Sequence, residues 1–471
     1  MEENKQEFKK SLGLLDATML VAGSMIGSGI FIVSSDIARN TGSAGWLMIV
    51  WAISGFMTLA AALSYGELSS MFPKAGGQYV YLKEAYGPVV SFTFGWTFFA
   101  VIQTATIAAV GVAFAKFTAY LFPSLDEDVY LLTIGTYHIS SAQVLAIAVI
   151  LLLTFINTLG VQNGKVVQTT LTLIKILSLV LAVLFGFAAF DLEVWNHNWN
   201  SADTWNLSRL AVDGGKSDYT FLAGLGAISA GLVGALFSSD SWHSSSAVAG
   251  EIKNPQRNIG LSLALGTIIV TVIYLLTNLM YTGVLQMEEM ASAPKDRVAM
   301  VAAQEIFGPI GITVLAIMIM VSTFGCNNGL IMAGARIYYS MAKDGLFFKK
   351  TKELNKHAVP SYALWLQGII ACVWCLTGKY GDLLDMITCV VVIFYVLCII
   401  GIFILRKNRP DLPRPYKALG YPIIPAIYIL LGISFILLLV FYKPQFTWPG
   451  IIITLLGIPI YFIVKSKKSS L

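Results

Sequence analysis

The chain has 471 residues, of which 56% are hydrophobic and only 12% charged, with a mean hydropathy of +0.74 and a formal charge of +5. Soluble domains carry about twice that share of charge, so the composition excludes a water-soluble globular protein and points to a bilayer. The 27 Phe, 20 Tyr and 10 Trp suit the core and the interfaces of a membrane, and the modest positive charge is distributed in a way that membrane orientation explains without a nucleic-acid partner.

The chain opens on MEENKQEFKKSLGLLD, polar and mixed in charge, with no small-residue cleavage site after the first apolar run. Residues 1–12 are therefore expected to be a cytoplasmic N-terminal segment that the mature protein keeps. A span needs about 20 apolar residues. Runs that meet this fall near 14–38, 43–70, 87–121, 142–160, 165–190, 220–248, 259–283, 309–341, 361–377, 383–405, 422–441 and 447–465, which predicts an all-α integral membrane protein of about 12 spans. The largest polar insert, 191–219, is rich in Asp, Asn, Trp and Gly. With both termini in the cytoplasm, about 22 of the 31 Lys and Arg lie inside and about seven outside, as the positive-inside rule requires. The outer loops carry acids instead, among them Asp126, Glu127, Asp128, Asp191, Glu193, Glu288 and Glu289.

The first span contains VAGSMIGSGIF (21–31) and the sixth contains GALFSSDSWHSSSAVAG (234–250). Both crowd small and polar residues at membrane depth, where irregular backbone survives only against protein or a watery cavity. Spans one and six open two successive sets of five. Interrupted spans at corresponding positions of two halves point to an inverted-repeat secondary transporter, with the breaks meeting near the midplane. A GxxxG-like face for packing two helices would explain the first run alone, but not the polar break of the sixth span beside it. Each break frees N–H groups at one half-helix start and carbonyls at another half-helix end. The former attract an anion and the latter a cation, so the ligand that fits is a zwitterion such as an α-amino acid.

Several strings, in order, resemble one family: GSMIGSGIF, SYGELSSMFPKAGGQYVYLKEAYGP, GEIKNPQRNI, FGCNNGLIMAGARIYYSMAKDGLF and FILRKNRPDLPRPYKALGYP. They are similar to the amino acid–polyamine–organocation superfamily, and within it to L-type (LAT-like) amino acid permeases of bacterial kind, over about residues 10–425. The resemblance implies a LeuT-type fold. The first five-helix repeat would occupy 13–190, an extracytoplasmic loop 191–219 and the second repeat 220–405. A cytoplasmic loop over 406–421, two additional helices over 422–465 and a tail over 466–471 would follow. It implies that Gly27, Ser28 and Gly29 hold the substrate carboxylate, that Met25 faces the ammonium, and that Phe237, Ser238 and Asp240 complete the ammonium site. Phe237 would also be the gate. Ser24, Ile26, Ser239 and His243 are possible pocket lining. Relatives have Tyr and Gly where this chain has Ser239 and Ser241.

Lys175 lies in the apolar TLIKILSLV of span five, where an unpaired lysine costs at least about 2.5 kcal/mol. By resemblance its ammonium takes the place of a sodium ion, touching the first break and span eight near Ser322 and Thr323; a strut between helices or a proton-coupling group are its other readings. Lys116, near the outer end of span three, reads as a snorkelling side chain. Glu67, Glu251 and Arg336 resemble the charged residues that latch the cytoplasmic side in this superfamily; a plain solvated face is their other reading. Asp240 reads as a cap of a half-helix, and His243 as a hydrogen-bonded lining residue. All five cysteines lie in apolar runs, and Cys372-x-x-Cys375 has no second pair to make a metal or redox site.

The function expected is secondary amino acid transport at the cell membrane, sodium-independent and for neutral amino acids, with an amino acid substrate and no cofactor or metal. Proton symport is the alternative coupling, and a non-transporting amino-acid sensor the alternative class. A membrane enzyme lacks any nucleophile elbow or zinc motif to support it, and a primary pump lacks a phosphate-binding loop. FPSLDEDVYLLTIGTYHISS, after span three, has no cysteine, so no disulfide-linked heavy chain is expected.

Overall fold

The computed structural model describes residues 10–134, 137–213, 215–377 and 380–469, without the side chains of 134, 137, 161–168, 377, 380, 382 and 466–469. Lys5, Lys9, Lys379 and the side chains of Lys165, Lys467 and Lys468, counted above for orientation, lie outside the described residues, as do 470–471.

The chain is almost entirely helical. Helices α1 (Leu14–Met25) and α2 (Gly29–Thr41) form the first span, bent by 41° at the break between them. Helix α3 (Ala44–Met71) is the second span, started by Ser43, whose side chain accepts from the Trp46 amide. After the short α4 (Gln78–Tyr86), the third span runs through α5 (Pro88–Thr97), a π turn at Phe98–Ile102 and α6 (Gln103–Leu121). Helices α7 (Ser141–Thr158) and α8 (Val161–Ala188) complete the first five spans. A Ser140/Gln143 capping box begins α7.

The 191–219 insert is ordered: helix α9 (Leu192–Trp199), a 3-10 turn at Ala202–Trp205, and an antiparallel hairpin of Ser208–Leu210 with Lys216–Asp218. A second hairpin, Tyr130–Ile134 with Tyr137–Ser140, lies in the loop after the third span. The sixth span is α10 (Phe221–Ser238), an irregular stretch, and the single turn α11 (Ser244–Ala247). Helix α12 (Pro255–Val284) follows with proline at its first position, where no amide is needed. A short helix, α13 (Met287–Ala291), precedes α14 (Val298–Lys343), which is two helices joined at Gly308 (φ 66°) and Pro309. Only its part from 309 onward matches the expected eighth span. Helices α15 (Ser361–Thr377), α16 (Tyr380–Asn408), α17 (Ile423–Tyr442) and α18 (Pro444–Ser469) end the chain.

Ten helices among the described residues are long and apolar enough to cross a membrane, and the bent α1–α2 pair makes an eleventh. The twelfth predicted span is α15, apolar but shorter. The packing is that of a membrane protein: on α8, Leu177, Leu181 and Leu184 point outward at helical spacing, while Lys175 is buried. Small residues set the central contacts. A methyl group on Gly234 of α10 would lie 2.2 Å from Val33 of α2, so the spans that carry the two breaks pack backbone to side chain.

Candidate functional site

Helix α1 stops at Met25 because Gly27 and Gly29 hold helix poorly, and because each carbonyl it frees finds a side-chain donor. The Ala22 carbonyl keeps a helical partner, the Ile26 amide, at 2.9 Å. The Gly23 carbonyl accepts from Lys175 Nζ. The Ser24 carbonyl accepts from Cys326 Sγ at 3.0 Å, and the Met25 carbonyl from the Tyr274 hydroxyl at 3.0 Å. Ile26 accepts from Lys175 Nζ at 2.8 Å and Ser322 Oγ at 3.2 Å. Spans five, seven and eight thus supply the donors that water cannot supply at this depth.

The second break is stitched mostly by its own serines. Ser238 Oγ donates to the Gly234 carbonyl at 2.7 Å, Ser244 Oγ to Ser241 at 2.6 Å and Ser246 Oγ to His243 at 2.7 Å. Ser241 adopts φ 64°, the left-handed region that glycine fills more easily. The Phe237 carbonyl accepts from the Asp240 amide at 3.1 Å.

The breaks meet. A methyl group on Gly29 would lie 1.9 Å from Ser238 Oγ and 2.9 Å from Ser238 Cα. The Tyr274 hydroxyl reaches the Ser238 carbonyl at 3.1 Å as well as that of Met25, so two carbonyls from different breaks converge on one donor. Ahead of α2, the amides of Gly27, Ser28 and Gly29 precede the helical ladder, and Ser28 sits at the N-cap without its side chain capping.

Asp240 and His243, both half-buried, cluster with the buried Tyr395. The Tyr395 hydroxyl donates to Asp240 Oδ1 and lies 3.0 Å from His243 Nδ1. With Asp240 ionised, the single tyrosine proton is committed to the carboxylate, so Nδ1 of His243 is the donor in the second bond. Asp240 is therefore not the cap expected of it: α11 begins after His243, and the carboxylate is turned to α16. A cavity of about 20 Å³ lies here, bordered by Phe237, Ser239 and Asp240 of the break, Thr58 of α3 and Thr388 and Tyr395 of α16.

Lys175 and Ser322 meet at the first break as expected, with the ammonium 3.4 Å from the Ser322 carbonyl. Thr323 does not join them. Its hydroxyl donates to Ile319 at 2.9 Å and Met320 at 3.0 Å on its own helix. Ile26 contributes its carbonyl while its side chain is buried in the core, and Ser24 its carbonyl to Cys326, so neither borders the small cavity. Tyr274, Tyr395 and Cys326 were missed by sequence reasoning. Their signal was a polar atom inside an apolar run, which at single residues looks like ordinary core.

A larger cavity of about 970 Å³ opens at the end that the charge bias makes extracellular. It is bordered by Asp36, Arg39, Lys116 and Lys295 and reaches Val233 and Gly234, one turn above Phe237. Lys116 thus faces this vestibule rather than lipid headgroups. Around its rim Arg39 pairs with Asp296 at 2.7 Å and Lys295 with Asp126 at 2.7 Å. Partial burial raises the Asp126 carboxyl, but the hydrogen-bonded Lys295 ammonium outweighs it and holds Asp126 below the usual carboxylate range.

The cytoplasmic end is shut. Glu251 and Arg336, both buried, pair at 2.9 Å, and Arg406 grips Glu67 at 2.9 and 2.6 Å. The N-terminal segment adds to the closure through the Ser11 and Leu12 amides on the Glu251 carbonyl, at 2.9 and 3.0 Å. The latch reading of Glu67, Glu251 and Arg336 therefore stands over the solvated one.

A many-times-crossing helical bundle, with two interrupted spans facing each other beneath a one-sided vestibule, is the architecture of a solute carrier rather than an enzyme. Residues 12–464 match the amino acid permease family, and the chain belongs to it. It is 29% identical to the serine/threonine exchanger SteT of Bacillus subtilis (strain 168), over 100% of both chains. It is 28% identical to the b(0,+)-type amino acid transporter 1 of Mus musculus, over 98% of this chain and 89% of that one. To the large neutral amino acids transporter small subunit 2 of Homo sapiens it is 27% identical, over 97% and 80%. The protein is a multi-pass secondary amino acid permease of the cell membrane.

Proposed function

We propose that this permease carries neutral amino acids without sodium, by alternating access around the two breaks. The carboxylate binds the amides of Gly27, Ser28 and Gly29 at the N-terminus of α2, where the helix dipole favours an anion. The ammonium binds the carbonyls of Met25, Phe237, Ser238 and Asp240, and Phe237 closes over the substrate from the vestibule. The observation that carries this reading is the convergence of the Met25 and Ser238 carbonyls on the Tyr274 hydroxyl, beside the amide end of α2. Two acceptors aimed at one donor are what an ammonium needs. On substrate binding, Tyr274 shares those carbonyls with it.

Sodium independence follows from Lys175. Its ammonium already donates to Gly23, Ile26 and Ser322, supplying the positive charge that a coupling cation would bring to these carbonyls. The division into repeats at 13–190 and 220–405, with two added helices over 422–465, is the frame within which one set of spans rocks against the other. The protein works without a disulfide-linked partner, since the 122–141 loop holds no cysteine.

The test is uptake of labelled neutral amino acids into proteoliposomes, with and without internal amino acid and under imposed sodium or proton gradients. Uptake stimulated by internal amino acid and indifferent to sodium is expected. Sodium-dependent uptake would overturn the role given to Lys175, and proton-driven uptake without internal substrate would replace exchange by symport.

A further inference from the structure

Two basic inner loops of the protein use their charge differently. In the 406–421 loop the arginines are engaged within the fold: Arg406 with Glu67, Arg409 with Glu84 at 2.7 Å, and Arg414 with the carbonyls of Leu405, Arg409, Pro410 and Leu412. Between α14 and α15 the charge is left over. Lys349, Lys350, Lys352 and Lys356 are all exposed, and among the described residues none is paired with a carboxylate. Glu353 is the one acid within 348–357. Asp344, before the turn, is already held by Lys83 at 2.7 Å and by the Tyr79 hydroxyl at 2.8 Å.

The turn that carries these lysines is firmly built. Phe347 stacks on Tyr338 of α14 with ring centroids 5.5 Å apart. Buried Thr351 donates to the Phe348 carbonyl at 2.6 Å. Asn355 donates to the Thr158 carbonyl at the end of α7, at 2.8 Å, and to Ser361 Oγ at the start of α15, at 2.6 Å. The ammoniums therefore project from fixed backbone, which lowers the ordering cost of gathering them on one ligand.

The neighbouring aromatics set their depth. Tyr362, Trp365, Ile369 and Val373 of α15 are exposed at helical spacing, a stripe that faces lipid. Tyr and Trp mark the headgroup level, and Trp365 stands only about 6 Å along the helix from Ser361. The lysines of the preceding turn thus stand at the phosphates of the cytoplasmic leaflet. Phe348, beside Lys349, is 56% exposed. A soluble anion would match the lysines and leave this ring in water, whereas a lipid covers it with acyl chain.

We infer that the 348–356 turn is a binding site for an anionic phospholipid of the cytoplasmic leaflet, with the phosphate among Lys349, Lys350 and Lys352 and the chain against Phe348. Lipid held there anchors the inner end of α14, the helix that brings Ser322 and Cys326 to the first break and Arg336 to the inner latch.

The experiment titrates the full-length permease, in neutral detergent, with phosphatidylglycerol or phosphatidylcholine of equal chain length, and counts bound lipid by native mass spectrometry. Phosphatidylglycerol is expected to bind saturably, more weakly at high salt, and to resist excess inorganic phosphate. Each lysine near a lipid phosphate contributes about fivefold. The triple variant Lys349→Gln, Lys350→Gln, Lys352→Gln should therefore bind it about a hundredfold more weakly, at an unchanged lipid-free Tm. Lys407→Gln with Lys417→Gln, exposed lysines of the other loop, should bind it as the parent does. Phosphatidylcholine binding equally well, or no saturable phosphatidylglycerol binding, would overturn the site. Displacement by inorganic phosphate would make it a soluble-anion site instead. Undiminished binding by the triple variant, or equal loss in the control pair, would mean diffuse surface charge and overturn the assignment to this turn.

Discussion

Gly29 and Lys175 solve opposite halves of one problem, a helix that must end inside a membrane. Gly29 lets the second break approach α2 so closely that even a methyl group has no room: it would sit 2.9 Å from the Ser238 main chain. Gly29→Ala is therefore expected to abolish amino acid binding in a scintillation proximity assay while membrane insertion is kept, and unchanged binding would move the site elsewhere. Lys175 donates to the carbonyls that the break exposes. Lys175→Met keeps the stem and removes the donors, leaving the Gly23 carbonyl unpartnered at a cost of about 1–3 kcal/mol. A lower Tm in detergent is the expected reading, and an unaltered Tm would mean water replaces the ammonium. Both residues stood out in the sequence because each violates the rule for an apolar span. Tyr274 and Tyr395 violate none: a tyrosine among leucines is ordinary, and only three dimensions show that the hydroxyls join α12 to both breaks and α16 to Asp240.

The elements explain why this conformation is open on one side. At the cytoplasmic end α14 is tied to the end of the sixth span through Arg336 and Glu251, and α16 to α3 through Arg406 and Glu67. The first pair is fully buried, with Glu251 Oε2 lacking any further partner among the described residues. Removing the arginine strands a carboxylate away from water. Arg336→Leu should cost about 3–5 kcal/mol, against about 0–1 kcal/mol for Arg409→Leu, which breaks a more exposed pair with Glu84. Thermal unfolding of the two variants side by side checks this, and equal Tm shifts would contradict the buried latch. Element existence was readable from hydropathy, because lipid selects long apolar runs. The ends were less so. The eighth span continues across Gly308 into an outer helix, and the polar 191–219 insert folds on contacts that span the chain, such as Asn198 Nδ2 to Thr282 at 2.9 Å.

At the scale of the molecule, an outer vestibule of about 970 Å³ and a latched inner face describe one state of an alternating-access cycle. Lys116 borders that vestibule, so a cysteine placed there should react with a membrane-impermeant thiol reagent added outside, and more slowly when saturating substrate shifts the population toward closure. Reaction only from the cytoplasmic face would reverse the orientation that the basic residues assign. The native cysteines leave such labelling readable, four of the five being buried.

Central to all of this is main-chain recognition of both ends of a zwitterion, with the carboxylate at Gly27–Gly29 and the ammonium between the Met25 and Ser238 carbonyls. The direct measurement is competition for labelled serine binding by serine, by serinamide, which lacks the carboxylate charge, and by N-acetylserine, which lacks the ammonium charge. Serine alone should compete, with either blocked analogue at least about a hundredfold weaker, because each loses a charge-assisted interaction and strands polar backbone. Either analogue competing as well as serine would contradict it.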